Sequence, residues 1–301
     1  MHGRGEEEDH LRYVIVTPAR NEAAYIEELI KSVVAQSARP MRWVIVSDGS
    51  TDGTDEIVRR YAALNPWIRL LRMPERSTRN FAGKVHAINA GLEVVRELPY
   101  QALASLDADL SFEPDYFEFL LHKLELDPSL GVVGTPFAED GRTYDYRFVN
   151  IEHVSGACQL FRRECFEAVG GYVPMQGGGI DHVAVLTARM KGWRTRTFTE
   201  KTSQHHRRQG SANRGVLRDK YRIGALDYRL GGHPLWELFR ATYQLSQRPV
   251  LIGGVLIFCG YFLAWVRRAP RPISPDLIRF RQTEQLQRLR QRFLGQPTAT
   301  D

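Results

Sequence analysis

Short, continuously apolar runs alternate with stretches of helical periodicity through the first half of the chain, and this alternation constrains the fold most. Tyr13-Val14-Ile15-Val16 and Trp43-Val44-Ile45-Val46 are bounded by polar residues. Ile68-Arg69-Leu70-Leu71 and Ala102-Leu103-Ala104-Ser105-Leu106 follow. Runs of this length with no polar alternation read as strands buried on both faces. Between them, Ile26, Leu29, Ile30, Val33 and Val34 repeat at helical spacing, as do Ile57, Val58 and Tyr61. Val85 to Val95 reads as a further helix, and Phe117, Leu120, Leu121 and Leu124 mark another. Strand–helix–strand alternation predicts an α/β fold with a largely parallel sheet covered by helices. In such sheets ligands bind beyond the carboxyl ends of the strands.

After Val132-Val133, a further strand, the pattern loosens. Gly156 to Phe161 leads into a helix through Cys165 that Gly170-Gly171 closes. Gly177-Gly178-Gly179 reads as a loop, and a helix from Asp181 to Lys191 stops at Gly192. The organisation predicted is a polar tail over 1–12, a catalytic α/β domain over 13–232 and a C-terminal helical region over 233–301.

Charge is unevenly distributed. The chain carries 41 Lys+Arg and 35 Asp+Glu, a net of +6. From His233 to Asp301 there are ten Arg and four acids, so the remainder is neutral and the basic character sits in the tail. Nucleic-acid binding would need a basic stripe on the folded body, and none is indicated. With 43% hydrophobic and 25% charged residues, disordered and fibrous classes are excluded. Cys158, Cys165 and Cys259 form no CxxC pair, which predicts a reducing, cytoplasmic setting. The polar, acidic N-terminus lacks the apolar core of a secretory signal.

The polar residues gather where the strands end. The first strand runs into Thr17-Pro18-Ala19-Arg20-Asn21-Glu22, the second into Ser47-Asp48-Gly49-Ser50-Thr51-Asp52-Gly53-Thr54, and the fourth into Asp107-Ala108-Asp109. One residue between Asp107 and Asp109 lets both carboxylates reach one hard divalent cation, although an isolated pair also suits a turn or cap. A GxGxxG turn, which a dehydrogenase of similar architecture would carry, is absent after the first strand.

These three blocks, in this order, resemble family 2 glycosyltransferases of the GT-A fold, over roughly Tyr13 to Arg208. The resemblance implies a Rossmann-like mixed sheet flanked by helices and a nucleotide-sugar donor, UDP-linked in the first instance with GDP as an alternative. It implies that Pro18, Arg20, Asn21, Glu22, Asp48, Lys84 and Asp107 bind the nucleotide, and that Asp107 and Asp109 hold Mn²⁺ or Mg²⁺. Lys84, after Gly83, also reads as a surface lysine. The segment from Asp181 to Gly192-Trp193 resembles the family's helix that begins Glu-Asp, which makes Asp181 the catalytic base of an inverting transfer. Ile180 replaces the usual Glu, and Asp181 also suits a helix N-cap. Gln204-His205-His206-Arg207-Arg208 partly resembles the family's Gln-x-x-Arg-Trp block. Gln204, His206 and Arg207 then face the diphosphate or acceptor, or form a solvated basic loop. Arg208 stands where Trp belongs, which points to single-sugar addition. Gly156-Ala157-Cys158 and Gly170-Gly171-Tyr172 resemble the family's acceptor-side segment, and Gly156 either leaves room for the acceptor sugar or serves tight packing.

Pro249 to Val266 is uncharged and mostly apolar, with Arg267 and Arg268 following. It reads as a spanning helix, a buried helix or, as favoured by its short length and glycines, a segment dipping into the cytoplasmic leaflet. Leu277, Phe280, Leu286, Leu289 and Phe293, interleaved with Arg279, Arg281, Arg288, Arg290 and Arg292, predict a basic amphipathic helix. The function expected is sugar transfer to a hydroxyl of a lipid-linked saccharide at the cytoplasmic face of the inner membrane, in envelope or exopolysaccharide assembly. The alternatives are transfer to a polyprenyl phosphate and a catalytically silent scaffold of an assembly complex.

Overall fold

The computed structural model describes residues 11–75, 81–139, 142–143, 150–175, 177–207, 215–245 and 251–294. The tail over 1–10, the start of the apolar run at Pro249 and the position of Arg208 lie outside the described residues. Two compact units are formed, Met1–Gln176 with Ile180–Arg207, and Gly177–Gly179 with Arg208–Asp301. This grouping and a division after residue 232 differ by one helix and its flanks.

In the first unit, strands β1 (Tyr13–Ala19), β2 (Arg42–Asp48) and β3 (Ile68–Met73) alternate with helices α1 (Ile26–Val34), α2 (Thr54–Leu64) and α3 (Phe81–Val95). Then come β4 (Ala102–Leu106), β5 (Leu110–Ser111), α4 (Tyr116–Leu126), β6 (Leu130–Gly134), β7 (Phe137–Glu139) and β8 (Arg142–Thr143). The unit ends with β9 (Cys158–Arg162), α5 (Arg163–Val169), α6 (Ile180–Met190), β10 (Arg194–Thr197) and β11 (Ser203–His205).

Seven strands form one sheet in the order β10-β6-β9-β4-β1-β2-β3. Its central strands have lost all contact with water, as their unbroken apolar runs require: Val14, Ile15, Val16, Val44, Ile45 and Val46 are fully buried. β1 pairs in parallel with β2 and β4, and β2 with β3. β9 is the exception, antiparallel to both β4 and β6. It follows a long excursion through β7 and β8 instead of a crossover helix, so it enters the sheet from the opposite end. After β3 the chain returns to the other side of β1, and this reversal opens a crevice at the carboxyl ends of β1 and β4. A four-stranded sheet, β5-β11-β7-β8, lies outside the main one. β5 and β11 pair antiparallel, with Gln204 opposite Ser111 and His205 opposite Leu110.

The second unit is helical: α7 (Val216–Arg229), α8 (Pro234–Leu245), α9 (Ile252–Val266) and α10 (Pro275–Leu294). α7 and α9 touch backbone to backbone. A Cβ on Gly224 would lie 1.8 Å from the Ile257 carbonyl oxygen, and one on Gly260 would lie 2.0 Å from that of Tyr221. The amphipathic expectation for α10 needs correction. Its buried positions are Leu277, Arg281 and Gln285, so a charged and a polar side chain occupy its inner face. Arg281 donates to the Leu230 carbonyl at 2.6 Å and to Asp227 Oδ1 at 2.6 Å, capping the end of α7. Arg240 bridges Glu237 at 2.8 Å and Asp227 at 3.6 Å.

These buried charges titrate apart. Burial raises the Asp227 carboxyl, but Arg281 and Arg240 outweigh it and hold it below the ordinary range. Glu237 is pushed up to about 7, first by burial, with Arg240 opposing and the Asp227 charge adding. A carboxyl raised in the fold binds a proton that the unfolded chain has lost, so its stabilising effect is complete below the unfolded value and fades as pH rises through the folded one. Stability should therefore fall by on the order of 2 kcal/mol between pH 4.5 and 7 from this group. Glu237→Gln removes the titration, and thermal melts of the variant should be flatter across that window than those of the parent.

Candidate active site

The crevice at the carboxyl edge of the sheet is built from two clamped turns. Asn21 adopts a left-handed backbone (φ 55°), a conformation that asparagine tolerates. Its side chain accepts from the Thr51 N–H at 2.9 Å, and its own N–H donates to Ser50 Oγ at 3.1 Å. The Glu22 N–H donates to Thr54 Oγ1 at 2.8 Å, and the Ala23 N–H donates to Asp52 at 2.9 Å. Burial disfavours the ionised Asp52 carboxylate, yet bonds from the Thr54 hydroxyl and the Ala23 and Thr54 amides keep it below its usual range. The loop after β1 is thus fixed to the turn after β2. At its rim, Arg20 lies 3.7 Å from Asp48, which is buried at the tip of β2. Pro18 lies within β1, opposite Val46.

Acidic groups dominate the floor. Lys84, in the first turns of α3, pairs with Asp107 at 2.5 Å. Asp107 keeps 27% of its side chain accessible but is walled in by protein, and burial raises its carboxyl. Lys84 draws it down and the Asp109 charge pushes it up again. For Lys84 itself burial favours the neutral amine, but Asp107, Asp181 and Asp109 together raise it, so the ammonium is retained. One cation therefore feels all three carboxylates.

Asp109 is buried beside two basic side chains. His205 Nε2 lies 3.5 Å from Asp109 Oδ1, and Arg207 Nε lies 3.7 Å from its Oδ2. Arg207 also pairs with Glu22 and covers the Tyr25 ring at 5.1 Å, so it ties the loop after β1 to Asp109. The pairing of β5 with β11 brings these residues together, and the His206 N–H extends it by donating to the Asp109 carbonyl at 2.9 Å. The His206 ring is exposed and lies 2.8 Å from Ser111 Oγ, while Gln204 points into solvent. His205 is the inward neighbour, with only 6% of its side chain accessible, and its buried Nδ1 has no hydrogen-bond partner, with Glu139 3.5 Å away. The sequence marks His206 for the diphosphate or acceptor, and the neighbouring histidines suggest a metal site only weakly because no third ligand is evident; it does not show that His205 is the one turned inward. In a strand, adjacent residues face opposite ways, and recognising β11 would have shown that only one of the two histidines turns inward.

Asp181 opens α6 and faces Gly156. A Cβ at Gly156 would lie 2.7 Å from the Asp181 Cβ and 2.9 Å from its Oδ2, so the missing side chain is the space the carboxylate uses. Ile180, where an acid was expected, is buried in the core. Below, the fully buried Gln159 donates to the Val154 carbonyl at 3.0 Å and to the Asp181 carbonyl at 3.4 Å. The Tyr172 hydroxyl donates to Gln159 Oε1 at 2.7 Å. Gln159 and Tyr172 thus brace the start of α6; Tyr172 closes the Gly170-Gly171-Tyr172 segment that resembles the family's acceptor side, and Gln159 lies in no such motif.

The donors available to a cation are carboxylate oxygens of Asp107 and Asp109 and the imidazole of His205. Among the described residues, no group of three His, Cys, Asp or Glu side chains converges closely enough to enclose a metal ion. Such a partial set suits an ion that completes its shell with water and substrate oxygens, as Mg²⁺ does, and carboxylate donors suit Mn²⁺ equally.

The sheet order, the crevice and the paired acids define the GT-A class of nucleotide-sugar transferase folds. The mannosyltransferase PcManGT from Pyrobaculum calidifontis, solved with GDP-Man and Mn²⁺, superposes with a TM-score of 0.55 at 22% identity over 95% of this chain and 83% of that one. TarS of S. aureus, residues 1–349 with UDP-GlcNAc, gives 0.55 at 14% identity over 93% and 81%. The sequence profile described as Glycosyl transferase family 2 matches residues 14–168, about half of the chain, and the chain belongs to that family. The succinoglycan biosynthesis protein ExoA of Rhizobium meliloti is 32% identical over 181 residues, 53% of this chain and 52% of that protein. An uncharacterized glycosyltransferase of Bacillus subtilis, YkcC, is 30% identical over 117 residues, 38% of this chain and 34% of that one. The chain thus spans a third to a half of these relatives.

Removing the Tyr172 hydroxyl leaves the buried Gln159 carbonyl without its donor, and a lost buried partner costs about 1–3 kcal/mol. Tyr172→Phe should lower stability by that amount in denaturant titrations.

Proposed function

We propose that the chain is an inverting, metal-dependent glycosyltransferase. In this reading it moves a sugar from a nucleotide-diphosphate donor, UDP-linked in the first instance, to a hydroxyl of a lipid-linked saccharide. The observation that carries the reading is the single field shared by Lys84, Asp107, Asp109 and Asp181. Donor-side acids and a base on a separate helix then act on one reacting centre.

Each group has a role that its chemistry supports. Arg20, Asn21, Glu22 and Asp48 line the clamped turns and hold the nucleoside. Lys84, a point charge, contacts the diphosphate. Asp107 and Asp109 would hold the divalent cation, with His205 beside Asp109 and the rest of the shell made of water and substrate oxygens, and the cation would neutralise charge on the leaving diphosphate. Asp181 takes the proton from the acceptor hydroxyl as that oxygen attacks the anomeric carbon opposite the leaving group. Gly156 keeps the space in which that carboxylate moves. His206 and Arg207 stand at the diphosphate side, with Gln204 towards the acceptor. The nucleotide-sugar complexes of PcManGT and TarS support the donor class, and the succinoglycan role in ExoA's name supports a polysaccharide setting. Nucleotide sugars are cytoplasmic, so the reading places the reaction at the cytoplasmic face of the plasma membrane.

Purified protein with Mn²⁺ should release nucleoside diphosphate from one member of a UDP- and GDP-sugar panel, and EDTA or Asp109→Ala should stop the release. Asp181→Asn should lower kcat by about 10²–10⁴ with the donor KM little changed. Full turnover of that variant with a polyprenyl monophosphate, an acceptor that is already an anion, would move the reading to that acceptor. Absence of nucleotide binding in Mn²⁺ would sink the enzyme reading in favour of a scaffold. Gly156→Ala should displace Asp181 and cost about 100-fold in kcat while the fold persists in circular dichroism.

A further inference from the structure

Helix α9 uses one face and leaves the other bare. Gly253, Gly254, Ile257, Gly260, Tyr261 and Ala264 are buried, and its glycines meet the backbones of α7 and α8. Leu251, Ile252, Val255, Phe258, Phe262 and Trp265 are exposed, Trp265 by 53%. They do not stand singly. Phe258 stacks on Phe262 with ring centroids 6.1 Å apart, and Phe262 meets Trp265 edge to face at 5.7 Å, forming an aromatic ridge. No charged residue occurs from Leu251 to Val266. Arg267 and Arg268, both exposed, follow at once, and the left-handed backbone of Arg268 (φ 49°) ends the helix. A contiguous exposed apolar face of this kind marks an interaction surface.

Its dimensions and charge select the partner. At about 1.5 Å per residue, the 15 residues of α9 span about 22 Å, short of a bilayer core of about 30 Å. Among the described residues, no helix is long and apolar enough to cross a membrane. The inner face is already committed to α7 and α8, so immersing the whole helix would break contacts made at backbone distance. A second copy joined through the same face would need that face to be self-complementary. Residues 251–268 contain two arginines and no acid, so a two-fold contact offers those arginines no counter-charge. Anionic lipid headgroups do, and the eight arginines against three acids after Val266 add to the attraction.

We infer that α9 lies in the plane of an anionic bilayer surface, with Phe258, Phe262 and Trp265 in the headgroup–acyl boundary and Arg267 and Arg268 on lipid phosphates. This is a docking face on one leaflet, and it stands or falls independently of the sugar-transfer reading.

The test is sedimentation of the full chain with phosphatidylcholine vesicles, with and without phosphatidylglycerol. The chain should bind the phosphatidylglycerol vesicles and release them as salt rises. Phe262→Gln with Trp265→Gln, and separately Arg267→Glu with Arg268→Glu, should each weaken binding about tenfold or more. These positions are exposed, so unchanged circular dichroism and melting temperature will show that the fold survives. Absence of binding by the parent chain, or binding by the variants as tight as the parent's, overturns the inference. So does a stable dimer that the Phe262 and Trp265 changes dissolve, because the face would then be covered by a second copy.

Discussion

Three carboxylates, Asp107, Asp109 and Asp181, share the field of one half-buried ammonium, that of Lys84, and the gathering of these acids is the constraint that the catalytic unit is arranged around. Like charges in a recess are tolerated only when cations are brought to them from elsewhere in the chain. Lys84 is delivered by α3 and Arg207 by the segment after β11. Neither lies near the acids in sequence, so the sheet order and the β5–β11 pairing are what make the site electrostatically possible. The same pairing sets His205 beside Asp109.

Much of the main sheet was legible because β1, β2, β4 and β6 are buried on both faces and its helices carry regular apolar stripes, whereas β10, with exposed and half-buried positions, gave no such run. Val14, Ile15 and Val16 show the first property, and Ile26, Leu29, Ile30 and Val33 the second. The small sheet was not legible. β5 and β8 have two residues each, and β7 and β11 three, too few for any periodicity to emerge. That gap explains why the sequence did not tell the inward His205 from the exposed His206. The acids at strand ends were visible as composition at particular places. The bracing of Asp181 by Gln159 and Tyr172 was not, because it is a hydrogen-bond geometry that no residue pattern encodes, even where Tyr172 falls in a segment that resembles the family's acceptor side.

The helical unit shows the opposite failure. Its arginines were easy to see, and their spacing among apolar residues suggested a basic amphipathic helix at a membrane surface. Two of the buried positions of α10 are Arg281 and Gln285. Helical periodicity says which residues share a face, but not whether that face meets hydrocarbon or a carbonyl-lined, acid-bearing partner. Asp227 and the free carbonyls at the end of α7 supply the second kind of environment.

The cap that Arg281 places on α7 changes what the last part of the chain is. It satisfies a carbonyl 51 residues earlier and neutralises an acid that has almost no access to water. Gln282 reaches the Gly231 carbonyl and Gln285 receives the His233 N–H in the same region. The terminal helix is therefore a keystone and not an appendage. Trimming the chain after Val266 would leave α7 with an open end and Asp227 dependent on Arg240, 3.6 Å away, and the damage would fall on a helix that begins fifty residues upstream of the cut.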